Sequence, residues 1–169
     1  RELESELKEN DEEIDDVDEA ADQIGDRAMD LLQAQLNAQG QAVNDLPPDT
    51  SVVGFQVVGY DANKNSKTIR LDLGRQIYRQ SVTDIGCTYA GRGEVVQALW
   101  GLQDEEDWHT PTYPAFSLQD AIEYAQFLIR TTADHQSFSS RMATVGGKID
   151  VALVTPFDGF RWIQKKSLT

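Results

Sequence analysis

Apolar side chains recur at spacings of three and four from Val17 onward: Val17, Ala20, Ala21, Ile24, Ala28, Leu31, Leu32 and Leu36. That stripe predicts an amphipathic helix starting near Asp15. Asp15 and Asp16 can cap its first turn and suit the positive end of the helix dipole. Gly40, then Pro47-Pro48, end it. The period then changes. Residues 51–60 read Ser-Val-Val-Gly-Phe-Gln-Val-Val-Gly-Tyr, a nearly continuous β-prone run that predicts a strand buried on both faces. After a polar turn, residues 67–73 alternate and predict a strand returning as a hairpin. Gly74 breaks it, and a further strand is expected from Ile77 to Val82.

Beyond a glycine-bearing bend, Val95, Val96, Leu99, Trp100 and Leu102 predict a compact apolar helix over 93–102. Residues 103–115 read as a loop with an acidic core, an aromatic pair and two prolines. Ser117 then caps a helix whose Leu118, Ala121, Ile122, Ala125, Leu128 and Ile129 share one face. An irregular loop carrying Asp134 and Ser137 is expected next, followed by Gly146-Gly147. Residues 148–155 and 159–164 predict a closing hairpin that turns at Asp158-Gly159. Helices and strands fall in blocks, which predicts an α+β fold with mostly antiparallel sheet.

Composition narrows the class. A chain of 169 residues with 40% hydrophobic and 26% charged positions suits a soluble globular domain. No apolar run is long enough to cross a bilayer and no signal peptide opens the sequence, so no membrane partner is expected. Cys87 is the one cysteine, which excludes an internal disulfide and suits a reducing, cytoplasmic compartment. The sequence opens on Arg1 rather than Met, which predicts a processed product or a fragment.

The net charge of −14 is concentrated at one end. Residues 1–50 hold 16 acidic and 3 basic side chains, and residues 51–169 hold 13 and 12. This argues against nucleic acid as a partner, because phosphate contacts need Lys and Arg. Residues 1–14 are expected to be a helix end or disordered, with the main domain over 15–169. A solvated helix face is favoured for the acidic segment over a partner-binding tail.

Isolated chemistry is sparse. Cys87 precedes a helix and has Arg92 nearby, the setting of a low-pKa thiol. It lacks a histidine partner at readable spacing, so a buried structural cysteine is favoured. His109 and His135 have no ligand spacing for zinc. The run Asp104-Glu-Glu-Asp107 lacks the remaining features of a calcium loop and reads as solvated. Gly91-Arg-Gly93 offers an anion site or close helix packing. No metal or cofactor is expected.

Several segments, taken in order, resemble the proteasome β-type family of N-terminal-nucleophile hydrolases. Phe55-Gln-Val-Val-Gly-Tyr-Asp61 is similar to the family's strand ending in Gly-Tyr-Asp, and Ile69-Arg-Leu-Asp-Leu-Gly74 to the strand that follows it. Ile85-Gly-Cys-Thr-Tyr-Ala-Gly-Arg-Gly93 stands at the family's glycine-serine bend. Ser117-Leu-Gln-Asp-Ala-Ile-Glu-Tyr-Ala125 resembles its next helix, and Val145-Gly-Gly-Lys-Ile-Asp-Val-Ala-Leu-Val-Thr155 its acidic-loop, Gly-Gly and strand ending. The long closing loop is nearer to bacterial proteasome-related proteins.

The resemblance implies an αββα four-layer sandwich whose first strands are absent from this chain. It implies peptide-bond hydrolysis by an N-terminal threonine-type nucleophile, which is therefore also absent. A homo-oligomeric ring, a peptide or unfolded-protein substrate, and a missing N-terminal segment or companion chain as partner follow in the same way. Asp134 and Ser137 match the family's supporting aspartate and serine, and Cys87 stands where its bend serine would be. The alternative is that Asp134 and Ser137 only finish the helix and order its loop. Two functions are thus expected: a peptidase subunit or its C-terminal fragment, or a non-catalytic proteasome-like scaffold subunit.

Overall fold

The computed structural model describes residues 16–91, 93–101, 111–139 and 143–165. The expectations for residues 1–14, Arg92, the acidic run at 104–107 and His109 lie outside them. The fold is mixed α+β with small antiparallel sheets. The chain divides into two compact units, Arg1–Thr83 and Asp84–Thr169.

The first unit is one helix on one sheet. Helix α1, Val17–Ala38, follows the apolar stripe, and Asp16 caps it: its carboxylate accepts from the Asp18 amide at 2.8 Å. Strands β1 (Val53–Tyr60), β2 (Ser66–Leu73) and β3 (Ile77–Val82) form an antiparallel sheet in the order β1-β2-β3. Asp61 organises the β1–β2 turn. Its carboxylate accepts from the backbone amides of Asn63 and Asn65 and from the Asn65 side chain, and Lys64 takes a positive φ of 65°. The hydrogen bonds from Asn65 hold the Asp61 carboxyl below its usual range.

The core lies between β2 and α1. Ile69, Leu71 and Leu73 are fully buried on one face of the central strand, and Val17 and Ala21 meet them from the helix. Ile24, Ala28, Met29, Leu32, Phe55, Val57 and Ile77 pack around this centre. By register, Gln56, Arg70 and Gln80 stand in one row on the opposite face. That face is polar, with Arg70 paired to Asp72.

The reading of β1 as buried on both faces is overturned. Among the described residues β1 has a single neighbouring strand, β2, and Val58 is 57% exposed. A valine-rich run satisfies a strand's backbone preference whether or not a second layer covers it, so the run alone carries no information about burial. A polar strap crosses the other end of the unit: Arg75 donates to the Leu46 carbonyl, Tyr78 to the Pro48 carbonyl at 3.4 Å, and Val52 to Leu73 at 2.7 Å.

One ionic cluster joins helix to sheet. Lys67 reaches both carboxylate oxygens of Asp18 at 2.7 and 2.8 Å, while Arg79 bridges Asp18 and Asp22. The hydrogen bond from Lys67, aided by Arg79, depresses the Asp18 pKa. A depressed carboxylate pKa contributes stability that is present above the unfolded-state value and lost as pH falls through the folded one. Acid titration below about pH 4 is therefore expected to weaken this unit. Asp18→Asn should flatten that acid limb while leaving the neutral-pH fold in place, as read by far-UV circular dichroism against pH. An unchanged acid limb would remove Asp18 from the account.

The second unit holds helix α2 (Glu94–Gly101), helix α3 (Leu118–Ser137) and the hairpin of β4 (Val151–Thr155) with β5 (Gly159–Gln164). Ser117 caps α3 as expected, in a capping box with Asp120: the Ser117 hydroxyl accepts from the Asp120 amide, and the Asp120 carboxylate accepts from the Ser117 amide at 2.8 Å. The hairpin turns where Asp158-Gly159 predicted, with Gly159 at φ 64°.

Candidate functional site

Helix α3 does not stop at its last large apolar residue. It continues to Ser137, so Asp134 and Ser137 stand in its final turn rather than in an irregular loop. Thr132 is the buried residue of this last stretch, and its hydroxyl donates to the Leu128 carbonyl one turn back, at 2.8 Å. A polar residue thereby does the packing that the apolar stripe does earlier.

Asp134 and Ser137, three residues apart, share a helix face and are both exposed. The Ser137 hydroxyl donates to the Asp134 backbone carbonyl at 2.7 Å, which satisfies one of the unpaired carbonyls of the helix end. The Asp134 carboxylate has no side-chain partner among the described residues. It sits at the negative end of the helix dipole, where a cation would be stabilising and a carboxylate is not. His135 is the basic residue of that turn.

Gln136, which the sequence reading passed over, ties this turn to the chain beyond it. Its side-chain oxygen accepts from the Thr144 and Val145 amides at 2.8 and 3.0 Å. The approach to Gly146-Gly147 is thus fixed against the end of α3, and Gly147 takes a φ of 82° that favours glycine. A glutamine one residue before a helical serine gives no local signal of this role, because its partners lie eight and nine residues on.

Cys87 lies elsewhere in the unit, half-buried beside an aromatic cluster. Trp100 of α2 packs edge-on against Tyr89 at 5.3 Å and donates its indole N–H to the Tyr124 hydroxyl at 3.0 Å. Tyr124 of α3 packs in turn on Tyr113, Phe116 and Phe127. Burial raises the Cys87 pKa and so keeps the thiol protonated at neutral pH. Burial, then its hydrogen bond with Tyr124, pushes the Tyr113 phenol well above the usual range. These directions suit packing rather than nucleophilic sulfur. The sequence contained the signal for the cluster in Tyr113, Phe116, Tyr124 and Phe127, but their convergence on Trp100 depends on how α2 meets α3.

Tyr124→Phe is expected to destabilise this unit by about 1–2 kcal/mol, because it leaves a part-buried indole N–H without its acceptor. Urea unfolding followed by tryptophan emission measures it. A shift within about 0.3 kcal/mol would mean that water takes the place of the phenol.

Among the described residues, no group of three or more His, Cys, Asp or Glu side chains is placed to hold a metal ion, and no helix is long and apolar enough to cross a membrane. No family model, no curated protein and no solved structure matches this chain.

Proposed function

We propose that the chain supplies the C-terminal portion of a proteasome-type peptidase, built as an αββα four-layer sandwich, which hydrolyses peptide bonds inside a ring assembly. The order of the parts carries this reading. A strand closing on Gly-Tyr60-Asp61 pairs antiparallel with the strand ending at Leu73-Gly74. Two helices follow, the second ending in an acidic turn, then Gly-Gly and a final hairpin.

Asp134 adds a chemical argument. A carboxylate in the last turn of a helix is disfavoured by about 0.3–1 kcal/mol, so helix stability does not account for it. Beside a nucleophile's terminal amine it would raise that amine's proton affinity. The amine would then take the hydroxyl proton as the oxygen attacks the peptide carbonyl. The protonated amine then gives that proton to the leaving nitrogen as the peptide C–N bond breaks and an ester forms; water, deprotonated in turn by the amine, cleaves the ester and restores the hydroxyl. The reading assigns no nucleophile to this chain and gives Asp134 and Ser137 a positioning role.

A peptide epoxyketone, which requires both a hydroxyl nucleophile and a neighbouring free amine, tests it on the protein purified with whatever copurifies. Labelling is expected in the assembly, and Asp134→Asn should slow it about tenfold, the scale of a lost charge-assisted hydrogen bond. Complete absence of labelling sinks the peptidase reading. Equal labelling of the variant removes Asp134 from the site.

The second reading, a non-catalytic scaffold subunit of the same architecture, is favoured by the sheltered thiol of Cys87 and by the satisfied hydroxyl of Ser137. Both groups already have structural roles. A defined oligomer without any epoxyketone adduct is the result expected of it.

A further inference from the structure

Two hairpin turns of this protein contain an aspartate, and the two carboxylates are held differently. In the β1–β2 turn the Asp61 carboxylate accepts three hydrogen bonds, from the Asn63 amide and from the amide and side chain of Asn65. In the β4–β5 turn Asp158 is exposed, and its carboxylate has no hydrogen-bond or ion-pair partner among the described residues. Only its backbone amide is tied, donating to the Thr155 hydroxyl at 2.9 Å. Phe157 beside it is 94% exposed, so the tip stands open to water.

The next residue decides what an unheld carboxylate can do. Asp61 precedes Ala62, whereas Asp158 precedes Gly159. Asp158-Gly159 is the one Asp-Gly pair in the sequence, and no Asn-Gly pair occurs. A side chain on the following residue shields its backbone nitrogen, and glycine has none. Gly159 also forms the last pair of the β4–β5 ladder, opposite Thr155. A terminal pair opens at small free-energy cost, which lets the Gly159 nitrogen turn toward the Asp158 side chain.

We propose that Asp158-Gly159 is a site of spontaneous backbone modification, at which Asp158 converts to isoaspartate through a cyclic imide. The Gly159 nitrogen attacks the side-chain carboxyl carbon of Asp158 in its protonated form. A C–N bond forms, and the amide hydrogen and the carboxyl hydroxyl leave as water. Water then adds to either carbonyl of the five-membered ring. Breaking the bond from nitrogen to the side-chain carbon restores aspartate. Breaking the bond to the main-chain carbon frees the α-carboxylate and routes the main chain through the side chain, longer by one methylene. No oxidant or cofactor enters, and the overall mass is unchanged.

The product differs in two ways that other molecules can read. Register in a hairpin is set by its turn, so the extra methylene loosens the pairs of Thr155 with Gly159 and of Val154 with Phe160. The exposed α-carboxylate is a methyl acceptor for a carboxyl methyltransferase that uses S-adenosylmethionine. The carboxylate oxygen takes the methyl as its bond to sulfur breaks, and S-adenosylhomocysteine leaves. This inference needs neither a nucleophile nor an assembly, so it stands apart from the peptidase reading.

Ageing the full chain for weeks in mildly acidic buffer tests it. Peptide mapping with electron-transfer fragmentation distinguishes the two isomers at equal mass. It is expected to place isoaspartate at position 158 ahead of every other aspartate. Labelled methyl from S-adenosylmethionine, supplied with an isoaspartyl carboxyl methyltransferase, should enter the same peptide. Two variants check the chemistry. Asp158→Glu must close a six-membered ring. Gly159→Asn keeps a residue that tolerates the positive φ of 64° while adding a Cβ beside the nitrogen. Each should slow isomer formation at this site at least about tenfold. Far-UV circular dichroism verifies that both fold. Isoaspartate that forms no faster at 158 than at Asp49 or Asp134, or folded variants that age as fast as the wild type, would overturn the proposal. An isomer that appears only in urea would overturn it as well, since the folded turn would then protect the site.

Discussion

Leu71→Ala is expected to remove about 3–4 kcal/mol from the helix–sheet unit. Leu71 is 1% exposed at the middle of the central strand, with Ile69 and Leu73 on the same face and α1 packed above them. Truncation loses the transfer free energy of the removed carbons and leaves a cavity. The walls are two hydrogen-bonded neighbouring strands and a helix, none of which can collapse into the gap cheaply. For a small unit with a total stability of about 5–10 kcal/mol, that loss is a large fraction. Urea unfolding by far-UV circular dichroism measures it. Leu31→Ala provides the contrast: Leu31 lies on the same helical stripe in sequence but is 44% exposed, and its replacement should change stability by less than about 1 kcal/mol. Equal losses at the two positions would mean that the stripe packs differently.

Gly74→Ala is expected to cost about 3 kcal/mol or more, by a different mechanism. A methyl group built on Gly74 would stand 2.0 Å from the carbonyl oxygen of Thr50. The obstacle is backbone, so no side-chain rotation relieves it. Either the strap before β1 or the end of β2 must move. Gly74 does not need a left-handed φ, so the demand for glycine here is close approach alone. The first casualty should be the Val52 amide, which donates to Leu73 at 2.7 Å beside the clash. Hydrogen exchange at Val52 is expected to accelerate far more than at Leu71 in the centre of the strand. Uniform acceleration would instead indicate global destabilisation.

These two positions show what a sequence does and does not display. The 3–4 spacing from Val17 to Leu36 carried α1, and alternation carried β2, because one-sided burial imprints its period on the residues. Gly74 read correctly as a break, but the Thr50 carbonyl that requires a glycine is 24 residues away. The burial of β1 is not legible because Val53, Val57 and Val58 satisfy strand geometry equally at an edge and in a centre. The last turn of α3 escapes the pattern because its buried residue, Thr132, is polar and the partners of Gln136 lie eight and nine residues on. The candidate site is the least legible part, since only the resemblance singles out Asp134, Ser137 and Cys87. The fold puts the first two on one exposed helix turn and the third, half-buried, beside an aromatic cluster.

The boundary between Thr83 and Asp84 also sorts the chain's chromophores. All three tryptophans, at 100, 108 and 162, fall in the second unit, whereas the first has only Tyr60 and Tyr78 as phenolic reporters. Emission excited at the red edge therefore reports on residues 84–169, while backbone ellipticity sums over both units. Unfolding curves from the two signals that coincide would show that the halves melt as one cooperative body. Curves that separate would assign a stability to each, with no need to cut the chain.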